Sequence, residues 1–269
     1  MPNLRGPDEK RRRLFANVVY SVILYGAPVW GDPSTLKRAK VKLTGLERAI
    51  VQRVISAYRT VSSNAALLLA RLLPVEFVAL MRKRVFLRFK ELREQNEFTR
   101  ESKNAAKELE FYNMCEQWRG FLERPNIPGE FTKMAIVPRL EAWLMRKVGS
   151  MSFHLAQIMT GHGCFGRFLG LIGKRADCSC DFCGEEDDAV HTLRDCPASD
   201  VKRLELKRKL NLNRDFTLGD VVENIALRDF WVAFSRYAEE VMREKEEEER
   251  RRERVVNLSF SSSGEDESE

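Results

Sequence analysis

Three cysteines and one histidine lie at metal-ligand spacing within residues 180–196. Two residues separate Cys180 from Cys183, and four residues separate His191 from Cys196. Thiolates and imidazoles are ligands that zinc prefers, and four of them fill a tetrahedral site. Because no position remains for water, the sequence predicts a structural zinc ion rather than a catalytic one. Cys178 is an alternative first ligand, although the two-residue spacing favours Cys180.

The residues beside the four ligands fit a compact metal module. Gly184 directly follows the second cysteine, where a tight reversal favours glycine. Pro197 directly follows the last ligand and is expected to end that element. Four of the six cysteines lie within residues 178–196, and such clustering in an intracellular chain indicates metal binding before disulfide formation. Zinc stabilises small modules of this kind by about 10–16 kcal/mol, so loss of one ligand should unfold it.

Two groups of cations flank the zinc segment, and an acidic run, residues 185–188, lies inside it. The acidic run argues against direct phosphate contact by the segment itself. The flanking cations are suited to position a nucleic-acid strand without reading its sequence. A protein-packing clip with solvated flanks is an equal alternative. The predicted phosphate contacts are Lys174, Arg175, Lys202, Arg203, Lys207 and Arg208.

The elements that position these residues are predicted to be helices. Leu43, Leu46, Ile50 and Val54 recur at steps of three and four, which is typical of one buried helical face. Similar spacing continues through most of the chain, so we predict a mainly α fold. The segment 14–30 is rich in β-branched residues, which leaves helix and strand both open there.

Five glycines lie within residues 161–173. A phosphate-binding loop would need a preceding strand and a terminal Lys-Ser/Thr pair, and the sequence has neither. These glycines are therefore assigned to turns and close helix packing. His154, His162 and Cys115 are assigned to core or capping roles, and no residue pattern typical of an enzyme site stands out.

Positive charge is concentrated in the first third of the chain. Residues 1–90 contain 18 Lys and Arg against 5 Asp and Glu, whereas the whole chain has a formal net charge of +6. A basic region of this kind favours a polyanionic partner such as nucleic acid. The alternative is an ordinary solvated helical surface.

Six short motifs follow one another between residues 14 and 200. They are VILYGAPVW at 22–30, QR at 52–53, AYRTVS at 57–62, LP at 73–74, TGHG at 160–163 and HTLRDCP at 191–197. In this order they resemble the C-terminal part of the reverse-transcriptase proteins of arthropod non-LTR retrotransposons. Within that family, the similarity is strongest to the clade that inserts into ribosomal RNA genes.

The resemblance implies a domain order. Residues 1–96 would form the post-palm, thumb-like helical region, a bundle that grips an RNA–DNA duplex. A helical linker (97–175) and a CCHC zinc knuckle (176–198) would follow. The partners would be template RNA and target DNA, used in target-primed reverse transcription. The implied phosphate contacts of the thumb-like region are Arg48, Arg53, Arg59, Arg82, Lys83, Arg84 and Arg88. Beyond the resemblance, the apolar periodicity predicts C-terminal helices (199–256), and the polar, acidic composition predicts a disordered tail (257–269).

The sequence also departs from the family. It contains no Tyr/Phe-x-Asp-Asp polymerase motif, and Asp187 and Asp188 lie between the zinc ligands. The two magnesium ions of polymerization would belong to the parent polymerase domain, and no endonuclease domain is recognised. We therefore do not expect this chain to polymerise DNA, and its enzyme status is left open.

The alternative function is a zinc-stabilised helical scaffold for protein interactions, with residues 243–254 and the acidic tail as docking surfaces. No run of 18 apolar residues and no signal peptide is recognised in the sequence, so a nuclear or cytoplasmic location without membrane contact is expected. The sequence does not indicate an oligomeric state.

Overall fold

The computed structural model describes residues 6–224 and 226–262, without the side chains of residues 34, 36, 40 and 256–262. Apart from one isolated β-bridge, every regular secondary-structure element in these ranges is a helix, so the predicted mainly α class is confirmed. The segment 14–30, left open by its sequence, is helical as well. The helices are α1 (Glu9–Ile23), α2 (Ala27–Trp30), α3 (Pro33–Val54), α4 (Ser63–Ala70), α5 (Val75–Glu94), α6 (Arg100–Leu122), α7 (Glu130–Ile136), α8 (Leu140–Met145), α9 (Phe153–Thr160), α10 (Gly166–Leu171), α11 (Asp200–Lys209), α12 (Leu218–Glu223) and α13 (Arg228–Ser262).

The chain divides into two compact units, Met1–Ala156 and Gln157–Glu269. In the first unit, α3 packs against α4, and α5 packs along α6. Glu47 on α3 is buried and accepts hydrogen bonds from the backbone N–H of Val75, at 2.6 Å, and from the Tyr20 hydroxyl. The residue before α5 is Pro74, whose side chain cannot cap the helix, so Glu47 provides the acceptor for this backbone N–H. Its two hydrogen bonds also connect α1 and α5 to α3.

The core of the first unit is built around α4, whose apolar run is buried almost throughout. The Ser62 side chain accepts the backbone N–H of Ala65 and so begins this helix. Trp143, which is fully buried, donates its indole N–H to Leu68 O at 2.7 Å. The hydrogen bond lets a large polar-tipped ring pack beside α4 without leaving its donor unpaired.

The second unit is organised by α13, whose first half buries Phe234, Ala238 and Met242 on one face. Its charged second half carries ion pairs one turn apart, such as Arg250 with Glu246 at 3.0 Å. The predicted disordered tail, residues 257–269, begins inside this helix, which is described as far as Ser262; residues 263–269 lie outside the described residues.

No single helix in the described ranges has both the length and the apolar composition of a membrane span. Taken together, α4 and α5 meet the length and composition criteria, but the chain bends by 56° between them. In this structure α4 is a buried core helix.

Candidate metal centre

The four predicted ligands come together in the second unit. The ligand atoms of Cys180, Cys183, His191 and Cys196 all lie within 4.8 Å of one another. Cys180 Sγ is 3.9 Å from Cys196 Sγ, and Cys183 Sγ is 3.3 Å from His191 Nε2. Tetrahedral zinc with Zn–S of about 2.3 Å and Zn–N of about 2.0 Å requires separations of about 3.8 Å and 3.5 Å. The cluster therefore has the geometry to hold a metal ion.

A short hairpin brings the first two cysteines together. Gly184 N donates to Cys180 O at 2.9 Å, and Cys180 N donates to Glu185 O at 2.7 Å. Ser179 and Glu186 form an antiparallel bridge on either side of this turn. Gly184 has φ of +81°, a left-handed conformation that glycine adopts without steric cost. The glycine after the second cysteine thus provides the predicted reversal.

A wide helical turn, His191–Asp195, places the other two ligands. The N–H of Cys196 donates to His191 O at 2.8 Å, which closes a turn of the π type and brings both side chains to the same cation site. The Asp188 carboxylate accepts the N–H of His191 at 2.8 Å and caps this turn. These contacts lie within a few residues of each other, so local chain geometry sets this half of the site.

Cys178 lies outside the cluster. Its side chain is exposed, whereas Cys180 is buried with its sulfur among the other ligand atoms. The structure therefore places Cys180, and not the alternative Cys178, in the four-residue set. All four positions are filled by side chains of the chain itself, which is the arrangement of a structural rather than a catalytic metal site.

The electrostatics of the cluster favour a bound cation. Burial raises the pKa of the Cys196 thiol to about 12, and the neighbouring Cys180 acts in the same direction. Three adjacent thiolates are thus costly unless a divalent ion compensates their charge. Burial opposes the charged form of Lys245, yet Asp187 raises the pKa of this ammonium above its ordinary value, and Cys180 contributes to the rise. Lys245 therefore brings a compensating positive charge close to the cluster.

Asp187 is a functional residue that the sequence reasoning missed. In the sequence it belongs to the acidic run 185–188, which was considered only as an obstacle to phosphate contact, but in the structure it is only 1% exposed. Its carboxylate accepts hydrogen bonds from Lys245 Nζ at 2.7 Å, Thr192 Oγ1 at 3.2 Å and Gly166 N at 2.6 Å. Its backbone carbonyl also accepts Arg167 N at 2.9 Å. Asp187 thus ties the ligand loop to α10 and α13, and no spacing pattern signals this because Lys245 is 58 residues away in sequence.

Gly166 allows α10 to approach the ligand hairpin. A Cβ atom at this position would lie 2.7 Å from Cys178 O and 2.9 Å from Ser179 O. Such distances are shorter than van der Waals contact, so any larger residue would push the helix away from the hairpin. The assignment of this glycine-rich segment to close packing is therefore confirmed at Gly166.

Two of the predicted phosphate contacts have internal roles instead. Arg203 is only 7% exposed and donates to Cys196 O at 3.1 Å. Arg175 donates to Asp181 at 2.6 Å and to Asp177 at 3.1 Å, with little of its side chain exposed. These placements correct the prediction, because both guanidinium groups support the metal module and do not face solvent where a phosphate would approach.

The remaining cations near the module lie at its surface. Lys202 pairs with Glu244 at 2.6 Å, and Lys207 pairs with Asp215 at 3.0 Å. Exposed pairs of this kind contribute little to stability and exchange readily for other anions. The other two predicted contacts, Lys174 and Arg208, are exposed.

The seven predicted contacts of the first unit fall into two groups. Arg48, Arg53 and Arg59 are exposed on α3 and the segment after it, where Arg48 donates to Arg59 O at 2.7 Å. This bond fixes the segment after α3, and the side chains of Arg53 and Arg59 remain exposed. The α5 group comprises Arg82, which donates to Leu24 O, Lys83, which is half-buried, Arg84, which pairs with Glu110, and Arg88, which pairs with Glu91.

Together, the fold and the four-ligand cluster define a helical protein with a candidate metal knuckle. No family model and no solved structure matches the chain. Over 199 residues the chain is 27% identical to the "Putative 115 kDa protein in type-1 retrotransposable element R1DM" of Drosophila melanogaster. The alignment covers 70% of this chain and 19% of that protein, so the chain spans about a fifth of the relative's length. This similarity supports the interpretation that the chain is derived from a non-LTR retrotransposon.

Proposed function

We propose that this chain is a nucleic-acid-binding region of a non-LTR retrotransposon reverse-transcriptase protein, of the clade that inserts into ribosomal RNA genes. In this role it holds template RNA and target DNA during target-primed reverse transcription, while the polymerase and endonuclease sites lie elsewhere in the parent protein. The observation that carries the proposal is the similarity to the R1DM protein over most of the chain. The exposed arginines of the first unit supply the matching surface chemistry.

The surface proposed to contact phosphates is centred on Arg53 and Arg59, with Arg48 holding the segment between them in place. Guanidinium groups suit this role because they remain charged and pair with phosphate oxygens through two N–H groups. Contacts of this kind give affinity without base specificity. We therefore expect a preference for duplex geometry rather than for a base sequence.

The test is the salt dependence of binding to a labelled RNA–DNA duplex. The logarithm of the binding constant should fall linearly with the logarithm of salt concentration, with a slope of about −0.9 per neutralised phosphate. Arg53→Gln and Arg59→Gln should each reduce the size of this slope by about 1. Arg100→Gln removes an exposed arginine from the start of α6 and is the matched control. Absence of binding at low salt, or equal slopes in all variants, would contradict the proposal.

For the metal centre, we propose one structural zinc ion held by Cys180, Cys183, His191 and Cys196. Bound zinc would neutralise the thiolates and fix the hairpin against the wide turn. Elemental analysis of the purified chain should find about one zinc per chain. Cys183→Ser should lose the metal and unfold the module, whereas Cys178→Ser, which removes an exposed thiol outside the cluster, should retain both. A metal-free wild type, or equal zinc loss in the two variants, would refute the assignment.

One observation favours the alternative function, a protein-interaction scaffold. Leu14, Phe15, Val18 and Val22 on α1 are each more than half exposed, and together form what we call the α1 apolar face. Contiguous exposed apolar surface of this kind marks interaction sites. In a scaffold, association of the pure chain in sedimentation experiments should persist at high salt and be lost in Val18→Ser. Duplex binding that weakens with salt and is unchanged by this substitution favours the nucleic-acid role.

A further inference from the structure

Three arginines converge beside the C-terminal end of α4 in the first unit. Arg13 comes from α1, Arg71 directly follows α4, and Arg146 directly follows α8. Arg13 donates to Ala70 O, the last carbonyl of α4, and Arg71 donates to Arg146 O at 2.7 Å. Distant segments of sequence thus place three guanidinium groups in one small region.

The guanidinium groups of this arginine cluster are largely removed from water. Arg146 is 8% exposed, and Cζ of its guanidinium lies 3.5 Å from the centroid of the Trp143 ring. The carboxylate that offsets the cluster is Glu9, which is 5% exposed and pairs with Arg13. The same carboxylate also opposes the lowering of the pKa of Arg71 and of Arg146, so it is shared among the three guanidinium groups. Buried charges are unfavourable unless they are compensated.

Mutual repulsion within the cluster is evident in its electrostatics. Burial lowers the pKa of Arg146 well below its ordinary value, and the neighbouring Arg71 and Arg13 lower it further. Burial and Arg13 likewise lower the pKa of Arg71. Since arginine stays protonated at neutral pH, the repulsion is relieved by an added anion rather than by loss of a proton.

The hydrogen bonding of the arginine cluster also indicates that an acceptor is missing. Among the described residues, Nε of Arg13 and Nε of Arg71 are buried and have no acceptor. The carbonyl of Ala70, at the end of α4, accepts another N–H group of Arg13, and the negative end of the helix dipole lies nearby. A carbonyl carries no net charge, however, so these contacts do not neutralise a guanidinium group.

We propose that Arg13, Arg71 and Arg146 form a binding site for a phosphate-class oxyanion. A tetrahedral oxyanion presents acceptors in several directions, and several guanidinium groups around one anion are a recurrent mode of phosphate recognition. The ligand is either free phosphate or the terminal phosphate of a nucleic acid, which share this chemistry. The site is distinct from the exposed arginines around Arg53 and stands whether or not those arginines bind a duplex.

The experiment measures thermal unfolding of the full, metal-loaded chain with inorganic phosphate replacing chloride at constant ionic strength. Tryptophan fluorescence reports mainly on the first unit, which contains Trp30, Trp118 and Trp143 of the four tryptophans. Phosphate at tenfold excess over its Kd should raise the unfolding midpoint by about 3–6 °C. Arg71→Gln should abolish this shift, whereas Arg100→Gln, with the same loss of charge at an exposed position, should retain it.

The outcomes separate a binding site from a purely structural cluster. Absence of a phosphate-specific shift in the wild type overturns the proposal, whatever the variants do. Equal shifts in Arg71→Gln and Arg100→Gln also overturn it, because they show a general ion effect. Should Arg71→Gln fail to fold, Arg13→Gln takes its place.

A second arm identifies the source of the oxyanion. Short RNAs with and without a 5′-phosphate replace inorganic phosphate in the same unfolding assay. Protection by the phosphorylated RNA alone supports a site for a nucleic-acid end. Protection by inorganic phosphate but by neither RNA supports a site for a small anion.

Discussion

The buried pair between Lys245 and Asp187 offers the sharpest test of how the ligand loop is held. Asp187→Asn keeps the shape of the side chain but removes its negative charge, which leaves a buried ammonium 2.7 Å from a neutral amide. Lys245→Met removes the other partner and keeps most of its apolar stem. We expect both changes to destabilise the second unit, with the larger effect from Asp187→Asn.

The magnitudes follow from the contacts of each partner. At 2.7 Å and an effective dielectric constant of about 20, the attraction is about 6 kcal/mol, much of it offset by desolvation. Removing one partner from a buried pair costs about 3–5 kcal/mol, which we expect for Asp187→Asn. In Lys245→Met, the carboxylate still accepts hydrogen bonds from Gly166 N and Thr192 Oγ1, so a cost of about 1–3 kcal/mol is expected.

The assay is zinc release as a function of urea concentration, detected with a metallochromic chelator, because it reports on the second unit alone. The double variant completes a cycle, and its cost should be well below the sum of the two single costs. A cost below about 1 kcal/mol for Asp187→Asn, or a larger cost for Lys245→Met, would refute the proposed role of Asp187.

The difference in unfolding free energy between the wild type and Asp187→Asn should depend on pH through the Lys245 ammonium. Its pKa in the folded chain is raised above the ordinary 10.5 by Asp187, against the opposing effect of burial. The pair therefore contributes its full stability below 10.5 and loses it as the pH rises through the folded-state pKa. The gap between the wild type and Asp187→Asn should stay constant from neutral to mildly alkaline pH and narrow only above that range.

Two further substitutions test the packing around the metal centre. Gly166→Ala should destabilise the second unit by about 1–3 kcal/mol in the same assay, because its Cβ would lie 2.7 Å from Cys178 O. Its control, Gly120→Ala in α6, has open space around the new Cβ and should stabilise that helix by about 0.5–1 kcal/mol in thermal unfolding; a matching loss at both sites would contradict this reasoning. Tyr237→Phe should cost about 1–2 kcal/mol in zinc-release urea curves because its buried hydroxyl donates to Leu193 O at 2.7 Å, and an unchanged midpoint would contradict that role.

Features set by neighbouring residues could be predicted from the sequence. The three-residue spacing of Thr217 and Asp220 is typical of a capping box, and in the structure each side chain accepts the other's backbone N–H. The reversal at Gly184 is present as well. These features depend on spacings of a few residues, over which backbone geometry leaves few alternatives.

Features set by distant partners could not be predicted in this way. In the sequence, Arg175 and Arg203 belong to the basic segments on either side of the zinc ligands. In the structure, Arg203 donates to Cys196 O and Arg175 is paired with Asp181. Asp187 resembles its acidic neighbours in sequence, yet it alone of the run 185–188 is buried. Charge counting identifies how many cations a segment has, but it cannot identify which of them face solvent.

For this protein, the amino-acid order alone was enough to establish the mainly helical class and the identity of four candidate metal ligands. Both depend on short-range periodicity and on short spacings, which act before the chain is compact. The three-dimensional arrangement decided that Lys245 neutralises Asp187 and that Arg13, Arg71 and Arg146 share one buried region. Those contacts join residues that are tens of positions apart, and their energies arise from the exclusion of water, which only a packed interior provides.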